Sequence, residues 1–434
     1  MDDGIRVELL YGRGRLPVRF PESADVEVIR KRTPPKLTDP ARAVADCLDN
    51  PEDCPGLAEL ARGRRSACIV VCDITRPVPN HLFLRPMVER MTASGIRRQD
   101  ITVLIANGLH RPGDDAEVAE IIGDPWVVEN VRVVSHDARD HASLVDLGRT
   151  ASGDCPVSVS RRLVEADLRI VTGLVEPHFM AGWSGGRKVV APGVAGEDTI
   201  RTFHSSRFME HPLAVQCNLE GNPLHLAQLE IVRGIGELYA LNTVIDEDRD
   251  LSFVNFGGIE ASHLRAVAFV QDYAVVGVTR RFHTVVTSAA GYPLDRTYYQ
   301  TVKGMVTPLD ILEPGGTIIV ASECSEGFGS RHYRDAQQRL VTLGVDAFAE
   351  SLAHKEFADV DEWQTEMQLK PMRVGTIQLY TTGLAAEDHR LTGVGAVASV
   401  EAAVLGSLSA HPGSAVAVIP EGPYVIPRYR PPAG

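Results

Sequence analysis

A chain of 434 residues, 44% hydrophobic and 23% charged, has globular composition and exceeds the size at which a single core usually keeps growing, so two domains are expected. Its formal net charge of −13 is spread along the sequence and not gathered in a tail, which speaks against nucleic acid as a partner and leaves small polar substrates open. The opening MDDGIRVELL has no apolar signal stretch, no run approaches the roughly 18 apolar residues of a spanning helix, and the seven cysteines are scattered with no Cys-x-x-Cys pair, so a reduced, cytoplasmic chain with no membrane partner is expected.

Residues 1–35 alternate apolar and polar positions (Val7, Leu9, then Leu16, Val18, Phe20) around a Tyr11-Gly12-Arg13-Gly14 turn, the pattern of a hairpin. Short apolar strands follow at 68–72, 101–105, 131–134 and 168–172, with helical character at 81–95 and 114–122. A second alternating set starts near residue 276 with VVGVT and HTVVTSA, and continues through a helix at 297–306, TIIVA at 317–321, a charged helical stretch at 332–354 and GTIQLYT at 375–381. Strands alternating with helices predict an α/β fold: two α/β domains with mainly parallel sheets. We place the domains at 1–275 and 276–414, with a hinge in the polar segment just before 275, and expect the proline-rich tail 415–434 to pack on the surface, back onto the first domain.

The densest unusual segment is EPHFMAGWSGGRKVVAPG at 176–193, directly after a predicted strand. Glycines 182, 185 and 186 permit positive φ and close backbone approach to a ligand, and their peptide N–H groups suit an anion. Lys188 follows Arg187, whose charge favours a neutral, nucleophilic amine on its neighbour. A Gly-Gly-Arg-Lys turn on its own is more often a solvated loop or a simple phosphate cradle. His178, His204 and His110, the last in ANGLHRPG after strand 101–105, are candidates for acid–base or metal work, and Asp73 and Arg76 in DITRPVPN sit at another strand end, where a guanidinium fork fits a carboxylate. Such a set suits proton transfer on a hydroxy or keto acid without naming the reaction.

DITRPVP (73–79), GLHRP (108–112), EPHFMAGWSGGRKVVAPG (176–193), GNP (221–223) and GYPLDRTYYQTVKGM (291–305), in that order, resemble the nickel-dependent lactate racemase family. The resemblance implies a racemase or epimerase that inverts the hydroxyl-bearing carbon of a small 2-hydroxy acid. It implies as cofactor a nickel-pincer nucleotide, a pyridinium-3-thioamide-5-thiocarboxylate mononucleotide, linked to Lys188 within Ser184, Gly185, Gly186 and Arg187, with His204 as the protein's nickel ligand. It further implies His110 and His178 as acid–base partners in reversible hydride transfer, and Asp73, Arg76, Gln300 and Lys303 as substrate contacts in an interdomain active-site cleft. Separate cofactor-maturation enzymes would be partners. Leu109 stands where many relatives have threonine, and Trp183 where a smaller ring is usual; both are read as either pocket or core, as are Tyr298, Tyr299 and Trp363. Two other readings are a hydrolytic metalloenzyme and a non-catalytic cofactor carrier of the same fold; the first lacks a His-x-His or His-Glu-x-x-His pattern, and the second leaves His110 and His178 without a role.

Overall fold

A computed structural model describes residues 4–432 and divides the chain into two α/β units. One runs Thr33–His204 and His211–Asp272; the other takes the chain up to Arg32, Ser205–Glu210, and everything from Tyr273 on.

The first unit is built on a six-stranded sheet in the order Leu251–Gly258, Tyr239–Ile245, Leu168–Leu174, Ala67–Cys72, Ile101–Ala106, Arg132–Ser135. All neighbours are parallel except the antiparallel pair at the Leu251–Gly258 edge. A parallel strand covered on both faces must be apolar along its whole length, and ACIVVC at 67–72 is buried throughout except for Cys72, which is partly so. Local signals fix the helices between strands. Asp115–Ile122 starts at a capping box in which Asp114 and Glu117 satisfy each other's backbone N–H, and it stops at Gly123 with φ of 68°.

The second unit holds an all-parallel sheet ordered Gly395–Ala396, Thr376–Tyr380, Leu312–Ala321, Phe282–Ser288, Val416–Ile419, Val26–Val28. Two of the expected domain assignments change here. The N-terminal hairpin, Arg6–Tyr11 with Gly14–Arg19, belongs to this unit, and its Val7, Leu9, Val18 and Phe20 pack with Val286, Ile319 and Val418. The tail is no surface coil on the first domain: Val416–Ile419 is an internal, fully buried strand, and Ile426–Tyr429 pairs with Val275–Val278. The apolar run VAVI supplies what an internal parallel strand needs, and the prolines fall outside it. The hinge expected before 275 is helical instead, because Ile259–Ala274 is one continuous helix. The helical stretch at 332–354 is broken by Gly344, whose φ of 80° separates Arg331–Leu343 from Val345–Ala353. Among the described residues, no helix is long and apolar enough to cross a membrane.

Candidate active site

In the first sheet the chain steps outward from strand 67–72 to 101–106 to 132–135, then returns to the other flank at 168–174. The strand order therefore reverses between 67–72 and 168–174, and loops leaving the carboxyl ends of strands diverge at such a point, opening a crevice. Three of those loops carry the candidate residues: 73–80, 107–112 and 175–193.

Asp73, immediately after strand 67–72, faces His110. Its Oδ2 lies 2.6 Å from His110 Nδ1, and its Oδ1 accepts from Thr75 Oγ1 at 2.6 Å. Burial opposes the Asp73 charge, yet the hydrogen bonds from His110 and Thr75 and the nearby Arg76 hold the carboxyl below its usual range. An ionised carboxylate only accepts, so the His110 Nδ1 that faces it carries a proton, and in the neutral ring Nε2 is the acceptor. The His110 side chain itself is 62% exposed. Arg76 pairs with Glu176 at 3.3 Å, linking the first loop to the residue two before His178.

His178 is set the other way. Its Nδ1 accepts from the backbone N–H of Ala181 at 3.2 Å and more weakly from Met180 at 3.4 Å, so in the neutral ring Nε2 bears the proton. The tight ribbon that carries it pairs His178 with Gly182 and Pro177 with Trp183. Cross-strand partners share a face, so Trp183 lies on the side opposite His178 and is a buried packing residue. Gly182 is required: with φ of 76°, a Cβ there would sit 2.2 Å from the Asn218 carbonyl oxygen. The GNP motif explains itself here, because the buried Asn222 donates to Met180 O at 2.9 Å and to Asn218 O at 3.0 Å while capping the helix Pro223–Ile235.

The glycine-rich turn is held largely by its own neighbourhood. Ser184 Oγ donates to Leu174 O at 2.7 Å and accepts from Glu176 N at 2.9 Å, and its own N–H goes to Glu176 O. The Gly186 N–H goes to Asn242 Oδ1 at 3.2 Å. Arg187 is buried and points inward, donating to Ala181 O and Trp183 O at 3.1 and 3.3 Å with His263 Nε2 3.0 Å from its Nη1; burial pushes it down to about 9. Asn242 and His263 escaped the sequence reading. An asparagine inside the apolar strand YALNTVI, fully buried, was the available signal for the first; a lone helical histidine gave none for the second.

Lys188 is what this packed turn presents. Its ammonium has no hydrogen-bond or ion-pair partner among the described residues, and burial together with the Arg76 and Arg187 guanidiniums pushes its amine down to about 7. His204, closing the helix Glu197–Phe203, is close enough to feel the Lys188 charge. Its Nδ1 donates to Ile200 O at 2.8 Å, which aims the Nε2 lone pair away from the helix, and burial pushes the ring down to about 4, so it is neutral at pH 7. Among the described residues the one preformed cluster of three metal-type ligands is Asp246, Asp248 and Asp250, and the Lys36 ammonium already closes it at 2.7 to 3.4 Å. No candidate histidine belongs to it.

The lactate racemase N-terminal domain matches residues 11–216, and the lactate racemase C-terminal domain matches residues 279–426. The chain belongs to the lactate racemase family. It is 32% identical to a lactate racemase of Thermoanaerobacterium thermosaccharolyticum across 78% of this chain and 82% of that protein. To a lactate racemase of Lactiplantibacillus plantarum it is 36% identical across 67% of this chain and 68% of the relative. The structure of the Thermoanaerobacterium lactate racemase apoprotein superposes with a TM-score of 0.90 at 28% identity, covering 98% of this chain and all of that one.

In this lactate racemase family member, Gln300 and Lys303 sit three residues apart on the helix Tyr298–Val306 of the other unit. Gln300 Oε1 is buried without a hydrogen-bond partner. Tyr298 is core, donating to Gln368 Oε1 at 2.9 Å and Thr392 O at 3.0 Å, and Trp363 Nε1 donates to Tyr299 OH at 3.1 Å.

Proposed function

We propose that this chain is a racemase or epimerase of a small 2-hydroxy acid, with lactate, the substrate in its relatives' names, as the first compound to test, and that it works with a nickel-pincer nucleotide carried on Lys188. The observation that carries this reading is the part-buried Lys188 amine, pushed down to about 7, beside His204, whose Nδ1 donates to the Ile200 carbonyl and which burial keeps neutral at pH 7. A covalent attachment point needs a neutral amine, and a nickel ion needs a neutral imidazole nitrogen. The residues present therefore fit the group: Lys188 would hold it and His204 Nε2 would ligate its metal. When bound, such a group supplies a reversible acceptor for the hydride of the substrate's α-carbon.

The chain's own residues manage the proton and the geometry. His110 Nε2 takes the hydroxyl proton, and the Asp73 carboxylate stabilises the imidazolium that results and keeps its ring oriented. His178, protonated at Nε2 in its neutral ring, is the second acid–base group and supplies the hydrogen bond to the oxygen after inversion. Opposite tautomers on the two histidines suit a reaction in which one must start as acceptor and the other as donor. Arg76 is the proposed carboxylate contact, with Glu176 steering its guanidinium, and Gln300 and Lys303 are retained as substrate contacts on the family motif and on the unpaired Gln300 oxygen. Cofactor-maturation enzymes would supply the nucleotide.

The test is intact mass and metal content of wild type and Lys188→Ala, each produced alongside the maturation enzymes. We expect a mass increase with nickel in wild type, neither in the variant, and loss of optical activity of a 2-hydroxy acid only with the former. Absence of adduct and nickel from wild type, while a family relative loads normally, would remove the reading. The lack of any histidine cluster with three metal ligands among the described residues gives a hydrolytic-metal reading no support.

A further inference from the structure

The sheet of the first unit has a second end. Strands 67–72 and 101–106 begin at Ala67 and Ile101, and a cavity of about 470 Å³ lies at those amino ends. It is roughly 20 Å along the strands from the loops that carry Asp73 and His110. Every residue that lines it falls between 66 and 166, within the segment Thr33–His204 of that one unit. Alanines 67, 142 and 166 stand in its wall, and their short side chains leave the space open. A volume of this size takes a small metabolite.

The charges around the cavity do not cancel. Asp100 is paired with Arg97 at 2.6 Å and Glu165 with Arg161 at 2.7 Å, and Arg161 spends its second Nη on Leu144 O at 2.9 Å. Two charged groups are left over. The half-buried Arg162 makes neither a hydrogen bond nor an ion pair among the described residues. Asp140 caps the turn His141–Ser143 through Ala142 N at 3.2 Å and has no cationic partner among them. Both line the cavity, yet they do not pair with each other. The Cys68 thiol feels the Arg162 charge, and Cys68 is in register with Thr102, so the guanidinium stands over the face of the sheet from which Thr102 projects. The Thr102 hydroxyl has no partner among the described residues, and Ser66 Oγ, which accepts from Asp167 N at 3.1 Å, keeps its own proton to donate.

A guanidinium fork fits a carboxylate, and a carboxylate without a cation fits an ammonium. We propose that this cavity is a second ligand site, separate from the candidate active site, and that it binds a free amino acid: the ligand's carboxylate on Arg162, assisted by the Thr102 and Ser66 hydroxyls, and its ammonium on Asp140. A 2-hydroxy acid would satisfy Arg162 but leave Asp140 without a cation. Inorganic phosphate would set like charge against Asp140. The proposal does not depend on the chemistry at Lys188.

The test is titration calorimetry on the full, unloaded chain with each of the twenty standard amino acids, lactate and inorganic phosphate as probes, repeated with Arg162→Ala and Asp140→Asn. We expect saturable binding of at least one amino acid, weakened about tenfold to a hundredfold in R162A, the range for losing a hydrogen bond to a charged group, and weakened also in D140N. The amine and the acid that each lack one of that ligand's two charges should bind at least about tenfold more weakly than the amino acid. Asparagine can still cap the turn, so D140N decides the matter if R162A fails to fold. No saturable binding of any amino acid at millimolar concentration overturns the proposal. So does amino acid binding that is unchanged in D140N, or binding of lactate or phosphate that depends on Arg162 while no amino acid binds, which would make the cavity a simple anion site.

Discussion

The two sheets share a design and differ in what fills it. In the first, strand order reverses between 67–72 and 168–174; in the second, it reverses between 282–288 and 416–419, again with parallel strands on both sides. At the first reversal the carboxyl-terminal loops bring Asp73, His110, His178 and Lys188 out of the sheet. At the second the chain seals its own crevice. Ser288 Oγ donates to Pro420 O at 2.9 Å, Leu10 N donates to the same carbonyl at 2.9 Å, and the turn at Gly12 is clamped by Asp295 Oδ2 at 2.7 Å and by Tyr292 N at 2.7 Å. Sheet topology offers a crevice in each unit, but loop chemistry decides whether anything can happen there.

The sharpest way to break this contrast is at the first reversal. His110→Ala should lower kcat by roughly a hundredfold to ten-thousandfold, the range for a lost general base, while leaving the Lys188 adduct in place. Asp73→Asn should cost about a hundredfold, because an amide can donate to His110 Nδ1 and favour the wrong tautomer. Wild-type rates in either variant would mean that the dyad lies outside the reaction. Steady-state racemisation, with adduct checked by mass, measures both.

At the second reversal the effect should fall on stability alone. Gly422 has φ of 52°, and a Cβ there would sit 2.0 Å from the Ser288 carbonyl oxygen, so Gly422→Ala should destabilise the fold by about 3 kcal/mol through backbone strain and displacement of the seal. Denaturant unfolding reads this directly, and kcat of the folded fraction should stay as in wild type. Asn242→Ala gives a smaller, intermediate result in the first unit: it leaves the buried Gly186 N–H unpaired, costing about 1–3 kcal/mol, and slows adduct formation at Lys188 by loosening the turn. An unchanged loading rate would show that the turn holds its shape without that bond.

Much of this was legible in residue order. Apolar runs located the strands, and motifs at their carboxyl ends located the histidines and Lys188, because an α/β chain places its chemistry there. What stayed hidden depended on partners distant in sequence. Nothing local says that 26–28 pairs with 416–418, so the hairpin and the tail were assigned to the wrong unit. The same blindness affected polar roles. The resemblance names Asp73, Ser184 and Arg187 as ligand contacts but says nothing of their partners within the protein, which are His110, Leu174 O with Glu176 N, and the Ala181 and Trp183 carbonyls. Residue type shows that a side chain can hydrogen-bond; only the fold shows what reaches it.

The smallest expected effect tests the physical core of the contrast, which is that the first crevice changes the acidity of the groups it presents. Lys188 is pushed down from 10.5 to about 7, so between those values the unfolded chain holds a proton that the folded chain has released. Unfolding free energy therefore gains from this residue as pH rises through that window, and the penalty of burying its charge is felt in full below pH 7. Lys188→Met should flatten that part of the stability profile in unloaded protein. The rate of Lys188 acylation by an amine-selective reagent, located by peptide mass, should rise with a midpoint near 7 in the wild type. A midpoint near the ordinary lysine value would mean that the amine is hydrated in solution, leaving the histidine–aspartate dyad intact but taking away the electrostatic reason for attachment at Lys188.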